Sequence, residues 1–339
     1  IGRSLLAFGQ ADKAVDHLQF AEQAGLKSPD LSSALGRCYG ALYRQELDRA
    51  QRLESDQERD HLVREVENTW KAKALNHLRA GRGLGLEPPE FPEALVEFYG
   101  SNWKMSLQKA REAQAISPLF YEAKWLEGEI QLAQATEQSG ATEEAQLIQQ
   151  ALDCFLDAQK VAPSDPRLHL GEARACRELL RLARDRQLED HLLLQVRRAV
   201  EACLRIHPSD PSPPAQVAWS LAVVAQKPHR KGREAVGLLT EGLTLLEPIL
   251  NRRPDDYEAL AARAKIRNQL AQQQSSSGQD PLSFAKASVE DSQAAIRAYP
   301  GDPAMLAQGC VNAQFLMTQE GLRGLDPEAS FSLATGWAA

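Results

Sequence analysis

The chain has 339 residues, of which 43% are hydrophobic, 6% aromatic and 25% charged, and its formal net charge is −7. Nucleic-acid-binding domains are usually basic, so this charge argues against a nucleic-acid partner. Apolar runs such as 192–194 are too short to cross a bilayer, and the alternation typical of strands is absent, so we expect neither membrane insertion nor a sheet.

Five prolines recur along the chain at intervals of 45 or 46 residues: Pro118, Pro163, Pro208, Pro254 and Pro300. Similar short sequences surround four of them, namely APSDP at 162–166, HPSDP at 207–211, RPDD at 253–256 and YPGDP at 299–303. A fixed interval with matching neighbours indicates one structural unit repeated along the chain.

The residues at these junctions predict the end of one helix and the start of the next. The repeat proline has no N–H and cannot continue the preceding helix. The aspartate that follows can accept hydrogen bonds from the first N–H groups of the next helix, and a second proline (Pro166, Pro211 or Pro303) suits its first turn. We call each such junction a seam.

In chain order, we expect residues 1–6 to be the end of a helix that is already under way. A single helix is predicted near 11–26. Pairs of helices follow at about 30–82, 91–116, 120–161, 166–206, 212–252 and 256–298, and a last pair begins at Ala304. The pair at 30–82 predicts two helices of about 25 residues, roughly 37 Å each, which would protrude from their neighbours. Residues 336–339 receive no assignment.

Four turns are predicted inside the later hairpins, at 137–141, 184–187, 226–233 and 272–280. The stretch 227–233 is densely basic, and we expect it to be a solvated loop. The stretch 272–279 is rich in Gln and Ser, and we expect it to be a mobile loop.

Each helix that precedes a seam carries small or apolar residues 12, 8 and 5 positions before the proline. Spacings of four and three place such residues on one helix face, so these trios are predicted to be packing residues. The trios are Ser106, Ala110 and Ala113; Ala151, Phe155 and Ala158; and Val196, Val200 and Cys203.

These patterns resemble the tetratricopeptide repeat family over nearly the whole chain. Ala151, Phe155, Ala158 and Pro163 match the second-helix half of its motif, and the first-helix half is matched by Leu35-Gly36 with Tyr39, by Trp125 with Gly128, and by Ala218 and Ala264 at the glycine position. The family repeat has ~34 residues, fewer than here. The resemblance implies an all-α fold, an α-solenoid forming a right-handed superhelix of about seven hairpins. We therefore expect a single domain over 1–339, with the regular repeats at about 120–320.

The same resemblance implies a non-catalytic scaffold for protein–protein interaction. In the family, the first helices line a concave face that receives a partner segment, and the protruding hairpin is a second candidate surface. Trp and Arg dominate many interfaces, although Trp125 and Trp219 could instead pack between hairpins. The candidate partner-binding residues are Arg37, Trp125, Glu129, Arg174, Arg177, Trp219, Lys265 and Asn268.

A second hypothesis is a regulatory or sensory arm of a larger signalling enzyme. The long hairpin and the 45-residue units are also similar to the tetratricopeptide regions that follow the kinase domain in some large bacterial serine/threonine kinases. The sequence contains no kinase glycine-rich loop, HRD or DFG motif. A third hypothesis, hydrolysis at an unrecognised site, would need converging polar residues in a closed pocket.

No catalytic or metal-binding motif is present, since the sequence lacks HExxH, CxxC and GxSxG. We expect no cofactor and no metal, and a small-molecule ligand is not expected. The glycine-rich stretch 81–85 is predicted to be a helix end with a left-handed glycine, followed by a linker.

The five cysteines are widely separated and odd in number, which favours a reducing, cytoplasmic compartment over a disulfide framework. Cys154 and Cys203 are predicted to be core residues. Cys38 and Cys176, on first helices, are the candidates for exposed thiols.

Overall fold

The structure is a computed structural model, and it describes residues 1–7, 11–51, 56–81, 87–138, 140–208, 212–300 and 302–338. These residues form helices and no strand. The helices are α1 Gly2–Ala7, α2 Ala11–Gln23, α3 Pro29–Gln51, α4 Asp56–Val66, a π-helical segment Glu67–Lys71, α5 Ala72–Ala80, α6 Glu90–Tyr99, α7 Trp103–Ile116, α8 Tyr121–Thr136, α9 Ala141–Val161, α10 Pro166–Leu182, α11 Arg186–Ile206, α12 Ser212–Ala225, α13 Arg233–Arg252, α14 Tyr257–Ser276, α15 Leu282–Ala298, α16 Pro303–Leu322 and α17 Glu328–Ala338.

The chain divides into two compact units, with the boundary inside α10. The first comprises the described residues of 1–50 and 56–175, and the second comprises Gln51 and the described residues of 176–338. Within the units, consecutive helices pack as hairpins, for example α6 with α7, α8 with α9, α12 with α13 and α14 with α15. The predicted series of helical pairs is therefore confirmed, and the last pair is formed by α16 and α17.

The seams have the predicted structure. Helices α9, α13 and α15 each end two residues before the repeat proline. Asp302 Oδ1 accepts hydrogen bonds from the backbone N–H groups of Ala304 at 2.8 Å and Met305 at 3.3 Å, and Asp256 Oδ1 accepts one from Ala259 at 3.0 Å. The carboxylates thus satisfy N–H groups that would otherwise lack partners at the helix start. The seam residues 209–211 and 301 lie outside the described residues.

The packing trios are buried, as their spacing predicts, and all nine side chains are at most 5% exposed. In the first unit, the ring of Phe155 on α9 lies against Gly128 of α8 and Gly171 of α10. A Cβ atom on Gly128 would lie 2.8 Å from Cε1 of Phe155. Three successive helices therefore approach closely because two of them carry glycine at the contact.

The long second hairpin is formed by α3 on one side and by α4, the π-helical segment and α5 on the other. Tyr39 of α3 contacts Trp70 of the π-helical segment, with ring centroids 6.1 Å apart. Gly36 of α3 faces Leu78 of α5 so closely that a Cβ there would lie 2.6 Å from its Cγ. No local sequence signal marks the π-helical segment, and the protrusion of this hairpin stays a prediction.

The predicted loop at 272–280 is wrong for its first half, because α14 continues through Ser276. Glutamine is a good helix former, so a Gln-rich composition does not by itself end a helix. The hydroxyl groups of Ser276 and Ser277 donate to the carbonyl oxygen of Gln273 at 2.9 Å. The helix ends where Gly278 adopts a positive φ of 75°.

Two further local predictions are changed by the structure. Gly81 ends α5 with φ −76° and ψ 0°, so it is not left-handed. A glycine is required at position 81 because the end of α5 lies close to α3: a Cβ on Gly81 would lie 2.9 Å from the backbone nitrogen of Ser33. Residues 336–338, which had no assignment, belong to α17, and the Trp337 ring packs against Gly309. Residues 82–85 and 339 lie outside the described residues.

None of the helices in the described ranges is both long enough and apolar enough to cross a membrane.

Candidate protein-interaction site

A cavity of about 490 Å³ lies in the second unit, among the first helices of four successive hairpins. The repeat explains its construction, because equivalent positions of α10, α12, α14 and α16 fall on the same side of the stacked hairpins. It is lined by Arg177, Glu178, Arg181, Trp219, Val223, Tyr257, Glu258, Ala261, Lys265, Asp302, Ala304, Met305 and Gln308. We call it the groove cavity. Three of the predicted partner-binding residues, Arg177, Trp219 and Lys265, meet there.

Lys265 is the most unusual charged group of the groove cavity. Its ammonium nitrogen lies 5.0 Å from the centroid of the Trp219 ring, a cation–π contact. Burial lowers the pKa of Lys265, and the nearby guanidinium of Arg177 acts in the same direction. The other α14 cations, Arg263 and Arg267, pair with Asp291 at 2.6 and 2.7 Å. Among the described residues, no carboxylate forms an ion pair with Lys265.

The other charged groups of the groove cavity are engaged with one another. Arg177 donates to Gln216 Oε1 and to Glu178 Oε1, at 2.8 and 2.7 Å. Burial opposes ionisation of Glu178, but the guanidinium groups of Arg177 and Arg181 outweigh it and hold its pKa below the usual value. The Glu178 carboxylate is therefore stabilised in its charged form, and its charge partly offsets the effects of burial and Arg177 on the pKa of Lys265.

Tyr257 and Asp302 form the opposite wall of the groove cavity. The Tyr257 hydroxyl donates to the carboxylate of Asp302, and the Tyr257 ring packs edge-on against Tyr299 with centroids 4.9 Å apart. Burial raises the pKa of Tyr257, and the Asp302 carboxylate adds to this effect. The hydroxyl therefore stays protonated and acts as a donor. Neither residue is among the partner-binding residues predicted from the sequence, although their 45-residue spacing is that of the repeat.

Four other candidate residues lie in the first unit, in contacts within it. Trp125 lies beneath the guanidinium of Arg167, 5.0 Å from the ring centroid. Arg174 donates to both carboxylate oxygens of the buried Glu129, at 3.1 and 3.3 Å. Residue spacing again follows the repeat, since Arg174 and Glu129 are 45 positions apart.

Arg37, the remaining candidate of the first unit, donates to Glu87 Oε1 at 2.8 Å and lies 5.6 Å from the centroid of the Phe91 ring. In the second unit, Asn268 is 3% exposed and donates to the side-chain oxygen of Asn312. The structure therefore brings together three of the eight candidates and places the other five in contacts with residues of other helices or, for Arg37, with Glu87 in the segment before α6.

The basic stretch 227–233 is solvent-exposed at residues 228–229 and 231–233, as its composition predicts, but Lys227 is half-buried and Arg230 is buried. His229 Nε2 lies 2.8 Å from Oε2 of Glu189, a fully buried carboxylate of α11. Arg230 is buried and forms ion pairs with Asp190 and Glu234. The prediction fails at Arg230 because residues 189–190, some 40 positions upstream, supply acidic partners for this loop.

None of the five cysteines, all within the described residues, forms a disulfide, and four of them are buried. The predicted exposure of Cys38 and Cys176 is wrong, since both are fully buried, and Cys38 packs into a core with Ala34, Leu35 and Ala74. Burial raises the pKa of Cys38 to about 12. First-helix position alone does not tell which face a residue occupies. Within the described ranges, no group of three or more His, Cys, Asp or Glu side chains could hold a metal ion.

No family model matches the sequence, and no curated protein is significantly similar to it. Similar solved structures include TTC0263, a thermophilic tetratricopeptide protein of Thermus thermophilus, at 16% identity over 66% of this chain and 96% of that one, with a TM-score of 0.44. The C-terminal part of a tetratricopeptide protein of Cytophaga hutchinsonii is similar at 10% identity over 91% and 97%, with a TM-score of 0.35. The human IFIT1 dimer with PPP-AAAA is similar at 15% identity over 86% and 71%, with a TM-score of 0.37.

The fold follows from the chain's own geometry, which combines capped seams, buried packing trios and glycines that meet the Phe155 ring. The chain is an all-α repeat protein of tetratricopeptide-like helical hairpins, with an extended repeat of 45 or 46 residues.

Proposed function

We propose that this chain is a protein-interaction scaffold, and that its groove cavity receives a partner segment carrying an acidic side chain. The observation that carries the proposal is the half-buried ammonium of Lys265, which has a lowered pKa and no ion pair among the described residues. A carboxylate from a partner would stabilise the charged form of Lys265. The Trp219 ring beside it offers apolar contact to the neighbouring residues of the segment.

The size and lining of the groove cavity suit a few side chains rather than a folded domain. Its volume of about 490 Å³ is in the range of sites that bury one small group of atoms. Arg177 also lines the groove cavity, and only three of its five guanidinium N–H groups are donated to Gln216 and Glu178, which favours an acceptor-rich segment. Short segments of this kind are bound by anchor residues that enter preformed pockets.

Peptide display against the purified chain tests this proposal. We expect the selected peptides to share an Asp or Glu next to an aromatic or aliphatic residue. Lys265→Gln should weaken binding of a selected peptide by about tenfold, the effect of losing one charge-assisted hydrogen bond. The matched control is Lys286→Gln on α15, where the lysine is exposed and does not line the groove cavity. Selected peptides without acidic residues, or equal binding by both variants, would contradict the proposal.

The absence of a nucleic-acid partner stays a prediction. The similar structure of human IFIT1 was solved with PPP-AAAA, so PPP-AAAA is a suitable ligand for testing the prediction. With a net charge of −7, we expect no saturable binding of PPP-AAAA in a fluorescence anisotropy titration. A salt-dependent, saturable rise in anisotropy would contradict this expectation.

The remaining functional hypotheses are also proposals. We propose a non-catalytic role for this chain in the cytoplasm, and the lack of a disulfide among its five described cysteines supports a reducing compartment. The alternative of a regulatory arm in a larger signalling enzyme, such as a bacterial serine/threonine kinase, is tested by reading the coding sequence upstream of Ile1. A kinase domain there would favour the regulatory arm.

A further inference from the structure

A second cavity of about 1000 Å³ lies in the second unit, on the side where α13 begins and α14 ends. Its wall is mainly apolar and includes Val236, Leu243, Leu270 and Phe284. None of these residues lines the groove cavity. We call this second site the edge cavity.

Two cations stand at the rim of the edge cavity without a partner. Lys231 and Arg233 are exposed, and neither forms a hydrogen bond or ion pair with any residue that the structure describes. The other basic residues of the same loop are all engaged. Lys227 donates to the backbone carbonyl oxygens of Arg181 and Ala183, while His229 and Arg230 bind the acidic residues of α11. Lys231 and Arg233 are therefore the basic side chains of this loop that form no hydrogen bond or ion pair within the described structure.

The acidic residue closest in sequence to this rim does not neutralise it. Glu234, in the first turn of α13, accepts a hydrogen bond from Arg186 at 2.8 Å and pairs with Arg230. Helix α13 begins at Arg233, and the N-terminus of a helix carries partial positive charge. Both effects leave a positive end on an otherwise apolar cavity.

A polar group inside the wall also lacks a partner. The side-chain oxygen Oε1 of Gln274 is buried and accepts no hydrogen bond within the described structure. Gln273, Ser276 and Ser277 lie near it along the end of α14. A few polar groups on a mainly apolar wall are typical of sites for small molecules, and so is a volume of up to about 1000 Å³.

We propose that the edge cavity binds a small amphipathic anion, with its apolar body on Val236, Leu243 and Phe284 and its carboxylate between Lys231 and Arg233. A partner helix is the less favoured occupant of the edge cavity. The unpaired cations, Lys231 and Arg233, both lie at the start of α13, and only four apolar side chains among the described residues form the wall. No small-molecule ligand is expected from the sequence. Residues 231–243 and 270–284 show no joint motif, and the fold alone brings them together.

Calorimetric titration of the purified chain with decanoate and with decanol tests the proposal. We expect one saturable decanoate site and weaker binding of decanol, which has the same chain length but no charge. The double variant Lys231→Gln/Arg233→Gln should weaken decanoate binding by about tenfold and leave decanol binding unchanged. Lys286→Gln, which removes an exposed charge that does not line the edge cavity, is the matched control.

A second variant tests the apolar wall independently. Gly237 of α13 lines the edge cavity, and a Cβ built on it meets no atom within 4 Å, so Gly237→Leu places a side chain in open space. This variant should fold and should lose binding of both ligands. The matched control is Gly321→Leu on α16, where a Cβ also meets nothing within 4 Å. The proposal is overturned if wild-type protein does not bind decanoate, if Gly237→Leu and Gly321→Leu bind it equally, or if the charge variants do not alter it.

Discussion

His169 Nε2 lies 2.9 Å from the carbonyl oxygen of Pro163, so a side chain of α10 holds the seam that precedes its own helix. The carboxylate of Glu172, with Oε2 4.0 Å from Nδ1 of the ring, raises the pKa of His169. Burial opposes this effect, and the Pro163 carbonyl adds to it. Protonation of His169 therefore stabilises this seam.

This contact predicts a pH dependence of stability. Because the pKa of His169 is raised in the folded state, its contribution is fully present below the ordinary histidine pKa of about 6.5 and is lost as pH rises through the folded pKa. We expect His169→Gln to lower the urea midpoint more at pH 6 than at pH 8.5. His191→Gln, at an exposed position of α11, should show no such difference. Equal effects of His169→Gln at both pH values would contradict the expectation.

The glycines that meet Phe155 give a prediction about packing. A Cβ on Gly171 would lie 2.7 Å from Cε1 of Phe155, which is buried and has no room to move. We expect Gly171→Ala to destabilise the protein by about 1–3 kcal/mol, the usual cost of an overpacked core. Urea unfolding measures the change. Gly321→Ala should be neutral or stabilising, since Ala favours a helix and its Cβ meets nothing.

The seams are expected to depend on their capping aspartates. Asp256→Ala removes the acceptor for the N–H group of Ala259 and should cost about 1 kcal/mol of folding free energy. Asp255→Ala is the control, because Asp255 is the exposed neighbour and is not the capping residue of α14. Thermal and urea unfolding of the two variants should differ. If both lost the same stability, the carboxylate of Asp256 would not be the cap.

Lys265 offers a test that separates function from stability. Its ammonium is half-buried without an ion pair among the described residues, so the folded state carries a desolvation cost that an apolar side chain would remove. We expect Lys265→Met to raise the urea midpoint while weakening the binding of acidic peptides. A lower midpoint would indicate that Lys265 is mainly a structural residue packed on Trp219.

The seams and packing faces could be predicted from the sequence because their chemistry is local. A proline ends a helix, an aspartate caps the next one, and spacings of three and four define a face, so Phe155 and its trio were identified without a structure. The burial of individual residues was harder to predict from the sequence. Cys38, Glu129 and Asn268 lie on predicted first helices, but nothing in the sequence marks the side of the helix that they occupy.

Contacts between distant segments could not be predicted. The loop at 227–233 shows a cluster of like charges, and only the fold reveals that the buried Glu189 lies beneath it. The groove cavity was within reach of the sequence, because Arg177, Trp219 and Lys265 all lie on first helices. The edge cavity was not, since it joins the beginning of α13 to the end of α14 and has no counterpart in the repeat pattern.

Binding of an acidic segment at Lys265 is tested most directly by NMR. The pKa of Lys265 and the indole signal of Trp219 are measured with and without a selected acidic peptide, and the indole signal is assigned by comparison with Trp219→Phe. We expect the pKa of Lys265 to rise and the Trp219 signal to shift when the peptide binds, because a carboxylate of the peptide would lie next to the Lys265 ammonium beside the Trp219 ring. Saturated binding that leaves both the pKa and the indole signal unchanged would contradict it.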